Sequence, residues 1–157
     1  MNHPRRLYLV RHGEAKPKDE DPLRGLTVAG ETTVHKVAQW AAAVGIQVDE
    51  IRHSGKLRAE QTANLLAAAL TTSGHPLATH GLDPADDVRP VADLLDGEDR
   101  TVMLVGHLPF LGRLVSQLVV GDPDQAIVAF DAAALVRLSK FDSQWVVEYV
   151  VQPELLV

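Results

Sequence analysis

Two histidines and two arginines lie at or just after the ends of apolar segments of the sequence. Arg11 and His12 end the segment LYLVRHG, Arg58 lies in HSGKLRAEQTA, and His107 ends TVMLVGH. Four potential cations with no carboxylate among them favour a phosphate site, because arginine donates paired hydrogen bonds to phosphoryl oxygens. The histidines lack the close spacing that is usual for zinc, and the arginines would repel a metal ion. We therefore expect an oxyanion site without a metal.

These residues need a sheet that brings them together. The run RLYLVR is short, apolar and bounded by turn signals, which is typical of a strand buried on both faces. Strand and helix patterns then alternate, which predicts a parallel sheet. The expected elements are a helix over 27–44 capped by Thr27 and stopped by Gly45, a strand near 49–54, a helix over 56–70, a helix within 88–96, a strand over 101–106 and a helix from Pro109.

Residues 126–151 carry runs of period two, which predict an antiparallel strand pair at the sheet edge. The expected fold is α/β, a three-layer α/β/α sandwich with a mostly parallel mixed sheet. Open parallel sheets bind ligands beyond the carboxyl ends of their strands. Arg58 stands in the first turn of its helix, so its side chain leans back over those ends. Helix N-termini near Ser54 and Pro109 add backbone donors for an anion.

Composition narrows the class of protein. The chain has 157 residues and 46% apolar content, which fits a single domain over 1–157. Its net charge of −6 argues against nucleic-acid and anionic-membrane surfaces. It has no cysteine, so thiol nucleophiles are excluded. The start MNHPRR lacks an apolar signal core, and no run approaches the roughly 20 apolar residues that span a bilayer. We expect a soluble, cytoplasmic protein.

Three segments together resemble a known family. LVRHGEA, HSGKLRAEQTA and VGHLPFLG are similar, in this order, to the signatures of the histidine phosphatase superfamily, which includes the phosphoglycerate mutases. The short chain, the segment RGLTVAG and the wording SGKLRAEQT resemble its small SixA-type phosphohistidine phosphatase branch. The likeness spans nearly the whole chain. It implies a phosphoglycerate mutase-like fold and a phosphatase that needs no cofactor.

The resemblance also implies roles for individual residues. His12 is expected to be the nucleophile that becomes phosphorylated, while Arg11, Arg58 and His107 hold the phosphoryl oxygens. The physical argument agrees, because neighbouring cations favour a neutral imidazole and neutralise charge in the transition state. Water then hydrolyses the phosphohistidine intermediate.

The sequence departs from the family pattern at two places. Many members place a glutamate after the third strand as general acid, whereas this region reads THGLDPADDV. Asp83, Asp86 or Asp87 could replace it, or no acid is needed, although turn formation and helix capping are the favoured roles of these aspartates. An imidazole leaving group needs less help from an acid than an alkoxide does. The second departure is Gly25, where the SixA-type pattern has proline, and we expect it to loosen a loop.

Three hypotheses follow. The first is a phosphatase that removes phosphate from a phosphohistidine-bearing protein partner through a covalent intermediate. The second keeps the chemistry but takes small phosphate monoesters or pyrophosphates, with Asp83 or Asp87 as the acid. The third is a non-catalytic module that binds phosphorylated partners, which an unblocked nucleophile argues against. His53 is expected to serve packing.

Overall fold

The structure, a computed structural model, describes residues 3–157, so the first two positions of the expected domain 1–157 and of the segment MNHPRR lie outside it. The described elements, in chain order, are β1 (Arg5–Arg11), α1 (Val28–Ala43), β2 (Glu50–His53), α2 (Leu57–Ala69), β3 (Leu77–Ala78), α3 (Arg89–Asp96), β4 (Val102–Gly106), α4 (Phe110–Val120), β5 (Leu135–Phe141) and β6 (Gln144–Val151), followed by a 3₁₀ turn at Pro153–Leu155.

The strands form one mixed sheet in the order β3-β2-β4-β1-β5-β6. The first four of these run parallel to one another, and β5 and β6 are antiparallel to their neighbours. The expected mostly parallel mixed sheet with an antiparallel pair at one side is therefore confirmed. In the pairing of β1 with β4, Arg11 lies opposite Gly106. The two strands consequently end side by side, immediately before His12 and His107.

The side chains of β1 point alternately to the two faces of the sheet and contribute to a hydrophobic core on each face. Leu7 and Leu9 belong to the core that contains the buried hydrophobic residues of α3 and α4. Tyr8 and Val10 belong to the opposite core, which contains the buried hydrophobic residues of α1 and α2. Because successive side chains of a strand point to opposite faces, a strand buried on both sides is apolar throughout. This explains why LYLV shows no polar alternation.

Most helix boundaries follow the expected signals. Thr27 caps α1 by accepting a hydrogen bond from the backbone of Gly30 at 2.9 Å, and Gly45 follows the helix with a φ of 82°. The prediction at Pro109 was wrong by one position, because α4 begins at Phe110 and the proline is the capping residue. The third strand is only two residues long, because the passage that contains it is rich in glycine, proline and aspartate.

Candidate active site

The predicted residues of the first and fourth strands meet at one end of the sheet. The backbone N–H of His12 donates to Gly106 O at 2.9 Å, which ties the end of β1 to the end of β4. The imidazole rings of His12 and His107 lie 5.0 Å apart between centroids and are tilted by 53°. Arg58 lies in the first turn of α2, as expected, and its positive charge lowers the pKa values of both histidines. All four predicted residues therefore surround one site.

The hydrogen bond of His12 defines its tautomer. Its Nδ1 atom lies 2.7 Å from Gly13 O, and a carbonyl oxygen only accepts, so Nδ1 carries the proton. Burial lowers the pKa of His12 to about 4; the bond to Gly13 opposes this effect, and the charges of Arg58 and Arg11 add to it. His12 is consequently neutral near pH 7, and its Nε2 atom holds a free lone pair. A neutral imidazole of this kind can attack phosphorus.

Ser54 orients the second histidine. Its Oγ atom lies 2.6 Å from His107 Nε2 and accepts a hydrogen bond from Lys56 N at 3.3 Å. The Ser54 hydroxyl can donate to Nε2, and in that arrangement the ring proton of His107 is on Nδ1. Burial lowers the pKa of His107 to about 3, with smaller contributions from His12 and Arg58. The ring is therefore neutral, and with Ser54 as donor to Nε2 it can donate from Nδ1.

Three buried donors of the site have no protein partner. They are Arg11 Nε, Arg58 Nε and His107 Nδ1, and within residues 3–157 only two other buried side-chain polar atoms share this property. Arg11 is held in place because its Nη1 atom donates to Phe130 O at 2.8 Å. Buried donors without acceptors cost about 1–3 kcal/mol each, so they are rare in native proteins. A tetrahedral oxyanion supplies several acceptors at once and fits this set.

Thr62 connects the loop after β1 to helix α2. The backbone N–H of Gly13 donates to Thr62 Oγ1 at 3.0 Å, and that hydroxyl donates to Arg58 O at 2.8 Å. Thr62 is fully buried. A single hydroxyl thus connects the residue that follows His12 to the helical turn that carries Arg58. Sequence reasoning did not select Thr62 for the site, although it stands one helical turn after Arg58.

Arg24 is a cation near the site that the sequence reasoning also missed. Its charge lowers the pKa values of His12, Arg58 and His107. Its Nε atom donates to Lys16 O at 3.1 Å, and its backbone adopts a φ of 52°. The only signal was its position in RGLTVAG. Arg24 adds a positive charge beside the four predicted residues.

The expectation for Gly25 was wrong. Its backbone N–H donates to Asp21 Oδ2 at 2.9 Å, and the same carboxylate accepts from Leu23 N at 3.1 Å. Proline has no N–H and could not make the bond to Asp21. Glycine at this position therefore helps to hold the loop instead of loosening it.

The aspartates after β3 divide into two groups. Asp86 Oδ2 accepts from Asp83 N at 2.9 Å, and Asp87 Oδ1 accepts from Arg89 N at 3.1 Å at the start of α3. Turn formation and helix capping, the favoured roles, thus account for Asp86 and Asp87. Asp83 and Ser54 line one cavity of about 520 Å³. The negative charge of Asp83 also raises the pKa of Arg58, against the stronger effects of burial and Arg24.

His53 directly precedes Ser54 in the chain. His53 is buried, and its Nδ1 atom accepts from Gly55 N at 3.1 Å, which fits the expected packing role.

Within residues 3–157, no three His, Cys, Asp or Glu side chains form a group that could hold a metal ion. No helix in that part of the chain is both long enough and apolar enough to cross a membrane.

Known proteins are similar to this chain in sequence and in fold. The sequence model of the histidine phosphatase superfamily, branch 1, matches residues 7–81. An uncharacterized protein of Picosynechococcus sp. is 37% identical over 122 residues, and the match covers 73% of each chain. Phosphohistidine phosphatase SixA of Escherichia coli is 28% identical over 121 residues, covering 74% of this chain and 75% of that protein. The structure of the protein histidine phosphatase SixA complexed with tungstate matches with a TM-score of 0.84 and 25% identity, covering 94% of this chain and 97% of that one.

The fold and the sequence together place this protein among the phosphatases with a phosphoglycerate mutase-like α/β architecture. The chain belongs to the histidine phosphatase superfamily and is SixA-like within it. It is a phosphatase and hence a hydrolase.

Proposed function

We propose that this protein is a phosphohistidine phosphatase that removes phosphate from a phosphohistidine-bearing protein in the cytoplasm. The observation that carries the proposal is the neutral His12, whose free Nε2 shares one site with three unpartnered buried donors. Two comparisons support it, since a relative is named a phosphohistidine phosphatase and a similar solved structure, that of the protein histidine phosphatase SixA, holds tungstate, a tetrahedral oxyanion. We assign the whole of residues 1–157 to this one catalytic domain.

The first step transfers the phosphoryl group to the enzyme. The lone pair on His12 Nε2 attacks phosphorus, and the bond between phosphorus and the substrate's imidazole nitrogen breaks. That nitrogen keeps the bonding electrons, and because the other ring nitrogen of the substrate has taken a proton from solvent, a neutral imidazole leaves. Arg11 and Arg58 bind the equatorial oxygens of the phosphoryl group, and His107 donates to it from Nδ1. Because these donors are fixed before substrate arrives, they stabilise the charge of the transition state without rearrangement.

The second step restores the enzyme. A water oxygen attacks phosphorus of phosphorylated His12, and the bond between phosphorus and Nε2 breaks. The electron pair returns to Nε2, the water gives up a proton to solvent, and inorganic phosphate leaves. The bond from Nδ1 to Gly13 O keeps the ring in one orientation through both steps. No metal or cofactor enters this cycle.

The leaving group explains why the glutamate of many family members is dispensable here. An imidazole nitrogen accepts a proton near neutral pH, whereas an alkoxide must be protonated as it departs. Of the three candidate acids, Asp86 and Asp87 already accept bonds from backbone N–H groups. Their engagement favours a phosphoramidate substrate over an ester.

Trapping the intermediate tests the proposal. Wild-type protein is mixed with a phosphohistidine peptide, quenched in alkali, digested and analysed by mass spectrometry. We expect phosphate on His12, stable in base and lost in acid. The matched control is His35→Ala, which changes an exposed histidine of α1 and should still trap phosphate. A wild-type protein that turns over the peptide without phosphate on His12 would refute the covalent mechanism.

Asp83 favours a second candidate function. Its carboxylate is exposed, lines the cavity beside Ser54 and acts electrostatically on Arg58, so it is placed to protonate an ester oxygen. The enzyme would then hydrolyse small phosphate monoesters or pyrophosphates. Under this alternative, Asp83→Asn lowers ester hydrolysis at least tenfold and spares phosphohistidine, while Asp93→Asn, an exposed change on α3, alters neither. An equal ester rate in both variants would remove the reason for this candidate.

A further inference from the structure

A groove of about 570 Å³ adjoins the site on the side of helix α2. Its charged lining side chains are Lys18, Arg24, Lys56, Arg58 and Glu60. We call it the basic groove, because four cationic side chains face one carboxylate there. Arg58 belongs to both the groove and the proposed phosphoryl site. The groove therefore begins where the phosphoryl group is held and extends outward toward Lys18, which is exposed.

The basic groove is positively charged, although the chain as a whole is acidic. The protein carries a net charge of −6, yet these cations gather around one depression. Asp19 and Glu20 adjoin Lys18 in sequence but do not line the groove. Asp21 is committed to the backbone N–H groups of Leu23 and Gly25. Within residues 3–157, none of the four groove cations forms a salt bridge, so most of the groove's positive charge is free for a ligand.

The walls of the basic groove are fixed by the fold. Arg24 is anchored through its Nε atom to Lys16 O, in a loop that Asp21 closes. Lys56 is the capping residue of α2, and its backbone N–H donates to Ser54 Oγ. A groove built from anchored elements loses little entropy when it binds a partner.

A second cavity at the site has the opposite charge. The cavity beside Ser54 is lined by Asp83, Asp86 and Asp87 together with His80. The surface around the site thus has a basic side and an acidic side. A partner with carboxylates on one side of its phosphohistidine can bind in one orientation only, because the reverse orientation places like charges together.

We propose that the basic groove docks acidic side chains that flank the phosphohistidine on the partner protein. This inference rests on the proposed function and adds the partner's chemistry to it. The phosphoryl group itself uses Arg58 together with Arg11 and His107, so Lys18, Lys56 and Arg24 remain for the partner's carboxylates. Lys18 is exposed at the outer end, where only a substrate larger than a phosphorylated imidazole reaches it.

Two phosphohistidine peptides of equal length test this proposal, one with flanking glutamates and one with flanking lysines. We expect kcat/KM to be roughly tenfold higher for the acidic peptide, since each exposed ion pair contributes a few-fold. The preference should shrink at about 1 M salt, where the Debye length falls to about 3 Å. It should also vanish in the double variant Lys18→Glu/Lys56→Glu. Lys36→Glu, an equal charge change at an exposed position of α1, should retain it.

Equal kcat/KM for both peptides, or a preference for lysines, would overturn the proposal. So would a double variant that treats both peptides as wild type does. If the double variant instead loses hydrolysis of a small bisphosphate while wild type never distinguishes the peptides, the groove holds a second phosphate group and acidic docking is wrong.

A binding measurement tests the docking proposal independently of the proposed catalytic function. His12→Ala is titrated by calorimetry with both peptides, each carrying a stable phosphoryl-triazole analogue in place of phosphohistidine. Tighter binding of the acidic peptide, lost on adding the two lysine substitutions, supports the basic groove even if turnover of phosphohistidine is absent. Equal binding overturns docking even if turnover is present.

Discussion

The Nδ1 atom of His12 lies 2.7 Å from the carbonyl oxygen of Gly13, the residue that follows it in the chain. This contact fixes the proton on Nδ1 and points to Nε2 as the nucleophile. Burial lowers the pKa of His12 to about 4, so the ring stays neutral as pH falls from 7 until it approaches 4.

We therefore predict that ¹⁵N-edited NMR of the histidine rings shows His12 as the Nδ1–H tautomer at pH 7, with a protonation midpoint near 4. The spectrum of His12→Ala assigns the signals. A His12 signal of the Nε2–H tautomer, or one with a midpoint near the ordinary histidine value of about 6.5, would contradict the mechanism.

Ser54 is predicted to act through His107 as a positioning residue. Ser54→Ala removes the 2.6 Å contact to Nε2, and we expect kcat to fall by roughly three- to tenfold because one neutral hydrogen bond is lost. The ring of His107 should then populate both tautomers in the same NMR spectrum. Ser54→Thr, which keeps a hydroxyl, should restore most of the activity. Ser73→Ala, at an exposed position, is the matched control. An unchanged tautomer in Ser54→Ala would refute this role.

Thr62 is predicted to stabilise both the fold and the site. Thr62→Val keeps the side-chain volume but leaves the buried N–H of Gly13 without its acceptor, which should cost about 1–3 kcal/mol of unfolding free energy. Thr62→Ser keeps the hydroxyl and should lose less. Urea denaturation measures both, and kcat should fall with stability only in the valine variant. Equal stability of the two variants would show that the bond to Gly13 contributes nothing.

Much of the fold and part of the site could be predicted from local patterns. LYLV is apolar throughout because both faces of β1 are covered, and the polar residues directly after it mark the strand end. That local signal identified Arg11 and His12, and the same logic found His107. Capping by Thr27 was equally local.

The remaining features depend on contacts between distant parts of the chain. Gly13 and Thr62 are 49 positions apart, and Ser54 and His107 are 53 apart, so no local pattern connects them. The conformation of the loop that positions Arg24 depends on the hydrogen bonds that Asp21 makes. The tautomers of the two histidines can be assigned only from hydrogen-bond geometry, which the sequence alone does not give.

Gly30 is predicted to be indispensable for the loop after β1. A Cβ atom there would lie 2.2 Å from the backbone oxygen of Glu14, two residues past His12, so the backbone must move. Gly30→Ala should lower the unfolding free energy by about 1–3 kcal/mol and reduce kcat. Gly112→Ala is the matched control: its Cβ meets no atom within 4 Å, and alanine in helix α4 should add about 0.5–1 kcal/mol. Wild-type stability in Gly30→Ala would contradict this packing.

The most direct test of the central claim measures phosphate release from a phosphohistidine-bearing protein and from a panel of small phosphate esters. Wild type and His12→Ala are compared at equal concentrations. We predict that wild type prefers phosphohistidine, with a higher kcat/KM than for any ester, and that His12→Ala loses this activity. Preference for an ester, or phosphohistidine cleavage at the same rate in both proteins, would contradict the proposed function.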